Sequence, residues 1–398
     1  MKPAFQVSRQ NPGPIRDFAE AHTPRGNDET AKPRCWCQAV LRSSVQVSTK
    51  TAVAPRLGRG PDLPLNLPLA AAVIAISLRH IPESSSPGLS RGDWPGALFA
   101  ALGLGGLVTG LIESASLGWA HPLVFGSLVG GVVSLIVFMR VEASSVAPMV
   151  PLNLFASATF SGANLLTLFL YSAIGIFFFL FPLNLIQVQR YSATSAGAAA
   201  LPFILLMFIL SRWSGGLVKR CGPRRPLLIG PLIAASGFVL LAITSAGGSY
   251  WKTFFPSVLV LGLGMAVTVA PLTTVVMSSA GQDRVGTASG INNAVARVAG
   301  VLAIAVLGTV MVTAFEYRLN HQLASLPLSH NVLHEIKVQE IRLAALEVPA
   351  NLDTTTRLTI GKWVREAFVF GFQLVMLMCA ALSLFSATSA WWLISNSS

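Results

Sequence analysis

Eight long apolar stretches, separated by short polar segments, constrain this chain more than any other feature of its sequence. They cover residues 93–113, 122–139, 159–186, 193–211, 226–245, 251–276, 286–313 and 367–394. A helix needs about 20 apolar residues to cross a bilayer. Apolar residues run continuously here, whereas a barrel strand would alternate apolar and polar positions. The stretches therefore predict an all-α membrane protein with eight transmembrane helices.

The composition supports this prediction. Hydrophobic residues make up 53% of the 398-residue chain and charged residues only 11%, whereas a soluble domain carries about 25% charged residues. A chain so poor in charge must present apolar side chains to lipid. We therefore expect a multi-pass protein of the cell (plasma or inner) membrane, with the lipid bilayer as its first partner.

The beginning of the chain differs from the rest. Residues 1–60 hold ten of the 28 Lys and Arg residues but form no clustered basic run, so we predict a disordered leader over 1–62 and no nucleic-acid partner. The next apolar stretch, 63–78, has 16 residues and includes Pro64 and Pro68. It is short for a span, which leaves open whether it crosses the membrane.

The charges of the loops predict the orientation. Residues 212–225 hold five basic residues and no acidic one, and such short loops stay in the cytoplasm. The loops at 114–121, 187–192 and 246–250 then fall outside, as does a longer loop at 314–362. That longer loop is balanced, with five basic and five acidic residues.

Arg297 is a charged residue that lies inside a predicted span, eleven residues beyond Gly286. A charge at membrane depth costs roughly 3 kcal/mol on insertion scales, so Arg297 is a candidate substrate contact or a tether facing a water-filled cavity. The alternative is that it snorkels or pairs near one membrane face. Glu113, at the end of the first span, is a second candidate, with an interfacial carboxylate as its alternative.

Amide side chains form a further group of candidates. Asn292 and Asn293 lie about one helical turn from Arg297, and Asn164 lies in the span over 159–186. Amides commonly tie membrane helices together through modest hydrogen bonds. Substrate binding and helix tethering therefore both remain open for these three residues.

Enzymatic chemistry finds no support in the sequence. It contains none of the patterns H-E-x-x-H, G-x-x-x-x-G-K-[ST] or G-x-S-x-G that mark metalloproteases, phosphate-binding loops and serine hydrolases. None of the six His residues lies within a span or shows convincing ligand spacing with Cys or carboxylates. We predict no catalytic residue, no metal site and no cofactor, and we do not expect an enzyme.

The basic segment resembles a known signature loop. Its residues Gly215-Gly-Leu-Val-Lys-Arg220-Cys-Gly222-Pro-Arg224-Arg are similar to the cytoplasmic G-x-L-x-D-R-x-G-R-R loop of the major facilitator superfamily. In that family the loop clamps neighbouring helices and helps to set the inward/outward equilibrium. The resemblance carries this role to Gly215, Arg220, Gly222 and Arg224. Lys219 stands where the family often has Asp.

Further motifs resemble the fourteen-helix drug:proton antiporter branch of that superfamily. They are Thr159-Phe-Ser-Gly-Ala-Asn164, Ser192-Ala-Thr-Ser-Ala-Gly197, Ala270-Pro-Leu-Thr-Thr274 and Gly286-Thr-Ala-Ser-Gly-Ile-Asn-Asn293. The resemblance makes 63–140 a remnant sixth helix followed by the central two-helix insertion. It makes 159–395 the C-terminal six-helix half of the transporter, with its extracytoplasmic loop at 314–362. The implied fold is a major facilitator-type bundle that lacks its first five helices.

The resemblance implies a proton-coupled efflux antiporter for drugs or other small amphipathic molecules, with the proton gradient as its energy source. Such transporters rock two halves about a site near the membrane midplane. One half cannot enclose that site, so we expect that the chain does not transport alone. The alternative is a non-transporting membrane protein fragment, or a half-transporter that needs a second half or another partner.

Overall fold

The computed structural model describes residues 73–77, 79, 93–145, 148, 150–245, 247, 249–281, 284–349 and 352–394. Across these ranges the chain consists of helices and connecting turns and contains no β-strand. The leader 1–62 and most of the candidate span 63–78 lie outside the described residues. The described part of that candidate span, residues 73–77, is helical.

The α-helices follow one another along the chain with short connections. Their bounds are α1 Trp94–Leu117, α2 Pro122–Ser144, α3 Ala158–Leu183, α4 Ala193–Ala198, α5 Leu201–Gly215, α6 Leu217–Cys221, α7 Arg224–Ala242, α8 Tyr250–Thr253, α9 Phe255–Ser278, α10 Val285–Leu323, α11 His330–Gln339 and α12 Thr354–Leu393. A π-helical turn, Asn184–Val188, continues α3. A 3-10 segment, Glu340–Ala345, follows α11.

Eight helical segments of the described chain are long and apolar enough to cross a membrane. Each overlaps one of the eight predicted stretches, so the prediction of an all-α membrane fold is confirmed. Helices α4 and α5 together form one of these segments, Ala193–Gly215. Their continuity is interrupted at Ala199 and Ala200, just before Pro202 in the first turn of α5.

Helix α3 lies at the centre of the bundle, packed against α10 and α12. Helix α7 contacts α9 and α12, and α9 also contacts α5, while α1 and α2 pair with each other and α1 reaches α10. Phe177 of α3 stacks on Phe181 with ring centroids 5.0 Å apart and meets Phe238 of α7 at 6.2 Å. Both α3 rings are buried, so these aromatic side chains form part of the core.

Helices α3 and α10 approach each other most closely where two glycines face. A Cβ atom placed on Gly175 would lie 2.6 Å from the Cα atom of Gly300, closer than carbon atoms can pack. Beside this point, the Ser172 hydroxyl donates a hydrogen bond of 3.2 Å to the carbonyl oxygen of Ala299. Small residues that allow such a contact are a common feature of membrane helix interfaces.

Helices α10 and α12 are much longer than the predicted spans 286–313 and 367–394. With 39 residues, α10 extends about 58 Å at 1.5 Å per residue, whereas the hydrocarbon core is about 30 Å thick. The segment 314–362, predicted as a loop, is mostly helical in its described residues. We call the described residues of 314–366 the hairpin; its buried apolar side chains include Phe315, Leu319, Val332, Ile336 and Ile360.

Candidate functional site

Two of the predicted amides meet in a buried cluster between α3 and α10. The Nδ2 atom of Asn292 donates to Thr167 Oγ1 at 2.7 Å and to Asn164 Oδ1 at 3.3 Å. Asn164 and Thr167 in turn donate to backbone carbonyl oxygens of α3, at 3.0 Å and 2.8 Å. All three side chains are at most 9% exposed. The geometry therefore favours the tethering alternative for Asn164 and Asn292.

Thr167 completes this cluster and was not among the predicted site residues. It lies three residues after Asn164, and residues at that spacing share a helix face. The spacing could have indicated its position. Its partner could not be read from the sequence, because the two hydrogen-bonded residues are 125 positions apart.

Asn293 and Arg297 lie on a different face of α10, one that is exposed. The exposed positions recur every three or four residues and form one stripe, comprising Gly286, Gly290, Asn293, Ala294, Arg297 and Val301. Asn293 donates only to the carbonyl oxygen of Ser289 in its own helix, at 3.0 Å. Arg297 has no hydrogen bond or ion pair with any described residue. We call these six residues the polar stripe.

The depth of Arg297 makes this exposure unusual. It lies twelve residues beyond Val285, where α10 begins, so its Cα atom is about 18 Å along the helix axis. A guanidinium at such a depth is stable only beside water, a polar ligand or an opposite charge. The described chain offers it no such charge, so the polar stripe is a surface suited to a cavity or a polar partner.

Glu113 belongs to a different helix from the other candidates. It is half-buried in the last turn of α1, whereas Asn292, Asn293 and Arg297 lie in the first half of α10. The preceding residue, Ile112, packs against the bundle core. The structure thus brings Asn164 and Asn292 together, and it places Asn293 and Arg297 on one exposed face.

The basic loop joins the ends of two helices. Gly215 ends α5, and Gly222 ends α6 with a φ of 74°, its N–H donating to the Val218 carbonyl oxygen at 3.0 Å. Glycine adopts such a positive φ without steric cost. Arg220 is exposed. A side-chain contact from this loop to another helix is made by Arg224.

Arg224 clamps the start of α7 to the end of α12. Its guanidinium carbon lies 4.3 Å from the ring centroid of Trp391, and its Nη2 donates to the carbonyl oxygen of the same residue. The last carbonyl groups of a helix lack partners within the helix, and a cation there also complements the helix dipole. Arg224 thus makes a cation–π contact with the Trp391 ring and donates a hydrogen bond to a carbonyl group that lacks a partner within its own helix.

The described part of the structure offers no arrangement of side chains suited to metal binding or to thiol chemistry. Within the described ranges, no group of three or more His, Cys, Asp or Glu side chains could hold a metal ion. Cys379 is buried, and its thiol faces the Ala173 carbonyl oxygen at 3.7 Å. Cys221 is exposed in the basic loop and free. Neither thiol contacts the polar stripe or the buried amides.

The fold and the site together define a multi-pass helical membrane protein whose helices are joined by buried amides and by a basic loop. The family model of the major facilitator superfamily matches residues 68–304, more than half of the chain. The chain therefore belongs to that superfamily, and it is a multi-pass protein of the cell membrane.

Several curated proteins are similar over much of the chain. The multidrug resistance protein Stp of Mycobacterium tuberculosis is 29% identical over 68% of the chain and 51% of its own length. The tetracenomycin C resistance and export protein of Streptomyces glaucescens is 27% identical over 82% and 61%. The cephamycin export protein CmcT of Amycolatopsis lactamdurans is 30% identical over 62% and 51%. The chain thus spans about half to three fifths of these relatives.

A solved structure was also found. It is a bacterial homolog to the human lysosomal transporter Spinster, in an inward-facing and unoccupied conformation. It has 12% sequence identity and a TM-score of 0.48, and the alignment covers 75% of this chain and 68% of that one.

Proposed function

We propose that this chain forms the C-terminal half-bundle and central helix pair of a proton-coupled exporter of small amphipathic molecules. The observation that carries the proposal is the polar stripe on α10. It presents Asn293 and Arg297 on an exposed face at membrane depth, where a lipid-facing surface would be apolar. The names of the similar proteins, which speak of multidrug resistance and export, supply the substrate class.

The buried amides and the basic loop have supporting roles in this proposal. Asn292, Asn164 and Thr167 fix α10 against α3, which sets the direction in which the polar stripe faces. Arg224 holds α7 to α12 on the side predicted to be cytoplasmic. A contact between helix ends can form in one transport state and break in another, which is the kind of two-state element that alternating access requires.

Export by this protein needs membrane helices besides those described here. In this proposal the described helices supply one wall of a cavity, and the chain spans only 51% to 61% of the relatives reported above. The proton-carrying acid would then belong to the helices of the opposite wall. Arg297 would face that wall and contact either the acid or the substrate.

Thiol labelling tests whether the polar stripe faces water. In a background without native cysteines, single cysteines replace Asn293, Arg297 and, as a matched control, Phe208, which is exposed on the apolar helix α5. A membrane-impermeant maleimide should label the first two positions in native membranes and leave the control unlabelled. Equal labelling at all three positions, or none at Asn293 and Arg297, contradicts a water-filled cavity at this face.

Efflux of a fluorescent amphipathic dye from vesicles tests the transport step. With this chain as the sole added protein, we expect no efflux that depends on a proton gradient. Co-expression with the N-terminal half of the tetracenomycin C relative should restore efflux that an uncoupler abolishes. The Arg297→Ala variant should lose this efflux, and Val306→Ala, at an exposed position of α10 outside the polar stripe, should keep it. Gradient-dependent efflux by the chain alone refutes the requirement for a second half.

A further inference from the structure

A groove opens between the start of α5 and the turn that carries α8, at the bundle end predicted to lie outside. Its volume is about 490 Å³, and its walls include Tyr191, Leu201, Pro202, Leu205, Tyr250 and Trp251. Leu201, Leu205 and Trp251 are each at least half exposed. The groove is therefore mostly apolar and partly open, and three of its lining side chains are aromatic.

Hydrogen bonds between the two turns hold the groove in shape. The Tyr250 hydroxyl donates to the Ala199 carbonyl oxygen at 2.7 Å. The amide of Gln189 donates to the Ser245 carbonyl oxygen at 3.3 Å and accepts from the Gly247 N–H at 3.0 Å. The ring of Trp251 packs on Phe255 with centroids 4.9 Å apart. The cavity is thus preformed, as small-molecule sites usually are.

The two segments that form the sides of the groove carry basic but no acidic residues. Arg190 directly precedes Tyr191, and Lys252 directly follows Trp251; both cations are exposed. Residues 184–205 and 243–260, which form the two sides of the groove, contain no Asp or Glu. Arg190 also has a φ of 63°, which residues other than glycine rarely adopt.

We propose that this groove binds an anionic phospholipid, with an acyl chain along Leu201, Pro202 and Leu205 and the head-group phosphate between Arg190 and Lys252. Tyr and Trp favour the membrane interface, where one side of the ring is apolar and the other is wet. Lys and Arg side chains near a bilayer surface attract anionic lipid head groups. A cationic amphiphile is disfavoured, because residues 184–205 and 243–260 carry two cations and no carboxylate. This inference does not depend on the proposed transport activity.

The test uses the full chain in its membrane and two photoactivatable lipids. Phosphatidylglycerol and phosphatidylcholine carry the same diazirine on the acyl chain, and the labelled peptides are identified by mass spectrometry. We expect phosphatidylglycerol to label the peptides around Leu201–Leu205 and Tyr250–Trp251 roughly tenfold more than phosphatidylcholine, since two cations contact the head group. This comparison needs no variant, so it stands even where a substitution impairs folding.

Variants then separate the two parts of the site. The double variant R190Q/K252Q should lose the preference for phosphatidylglycerol, and Leu205→Trp should reduce labelling by both lipids because it fills the groove. The matched control R342Q/R357Q removes two exposed cations from the hairpin and should change nothing. Equal labelling by the two lipids overturns the head-group assignment, and unchanged labelling in Leu205→Trp overturns the groove as the acyl-chain site.

Discussion

The side-chain amide of Asn292 in α10 donates a hydrogen bond of 2.7 Å to the hydroxyl of Thr167 in α3. Both side chains are buried, and the donor lies next to Asn293, which is exposed and bonded only within its own helix. Adjacent amides on one helix therefore have different tasks: the first joins two helices, and the second is available to a cavity.

The first prediction concerns this hydrogen bond. Replacing Asn292 by Ala should lower the free energy of unfolding in lipid bicelles by about 1 kcal/mol, since interhelical hydrogen bonds in membranes average ~0.6 and reach ~1.7 kcal/mol. A double-mutant cycle with Thr167→Val should show a coupling of the same sign and size. Asn293→Ala is the matched control and should change stability by less than ~0.5 kcal/mol. Additive single effects of Asn292→Ala and Thr167→Val would show that the bond does not stabilise the bundle.

The second prediction concerns the contact between Gly175 and Gly300. A methyl group at Gly175 would approach the Cα atom of Gly300 to 2.6 Å, and backbone atoms cannot yield as a flexible side chain can. Gly175→Ala should therefore cost about 1–3 kcal/mol of stability, as overpacking usually does. Thermal unfolding followed by circular dichroism measures the change. Gly290→Ala meets nothing within 4 Å and should not lower the midpoint, since Ala favours a helix over Gly; equal decreases in both variants would contradict the close approach.

The third prediction concerns Arg224. The Arg224→Gln variant loses the contact with the Trp391 ring and the charged hydrogen bond to the Trp391 carbonyl group. We expect a loss of about 1–2 kcal/mol and faster protease cleavage at the end of α12. The neighbouring Arg225 is exposed, so Arg225→Gln should be cleaved at the parental rate. Unchanged cleavage in Arg224→Gln would mean that the clamp does not hold the helix end.

The fourth prediction concerns the pH dependence of the hairpin. Burial raises the pKa of the Glu340 carboxyl group to about 7, and the nearby charge of Glu316 on α10 adds to this increase. Lys337 on α11 and a hydrogen bond from Asn320 oppose it. Because the folded hairpin retains this proton to a higher pH than the unfolded chain, its stability is full below about pH 4.5. It then falls as the pH rises toward 7 and beyond.

Hydrogen exchange, corrected for the intrinsic pH dependence of the rate, measures this effect. Amides of α11 and the 3-10 segment Glu340–Ala345 should be better protected at pH 5.5 than at pH 8, by roughly 1–2 kcal/mol. Glu340→Gln should remove most of this difference, since its amide does not titrate. Glu335→Gln, at an exposed position of α11, should keep it. Protection that increases with pH in the parental chain would reverse the sign of the prediction.

The membrane spans were predictable, whereas the hairpin was not. A membrane span appears in the sequence as a continuous apolar stretch, because lipid favours apolar side chains along its whole length. Residues 314–323 and 354–366 are mixed in polarity, and their helices extend beyond the membrane because α10, α11 and α12 bury a shared set of side chains there. Tertiary contacts of that kind leave no continuous apolar signal in the sequence.

The candidate site was predictable in part. The sequence indicated Asn164, Asn292 and Arg297 as candidate site residues, because polar groups at membrane depth are costly. Their division into tether and exposed stripe depended on the rotation of α10 against α3, which a single sequence does not give. The partner of Arg224 lies 167 residues away in the chain, so only the folded structure brings Trp391 to it.

Helix α10 is unbroken from Val285 to Leu323 and carries the polar stripe near one end and part of the hairpin at the other. Because the helix is continuous, a tilt of its membrane part at Arg297 would also displace the part that belongs to the hairpin. An antibody fragment or a designed binder that binds the hairpin would restrict movements of the polar stripe. Such a binder would affect the membrane-embedded part of α10 while it remains outside the lipid.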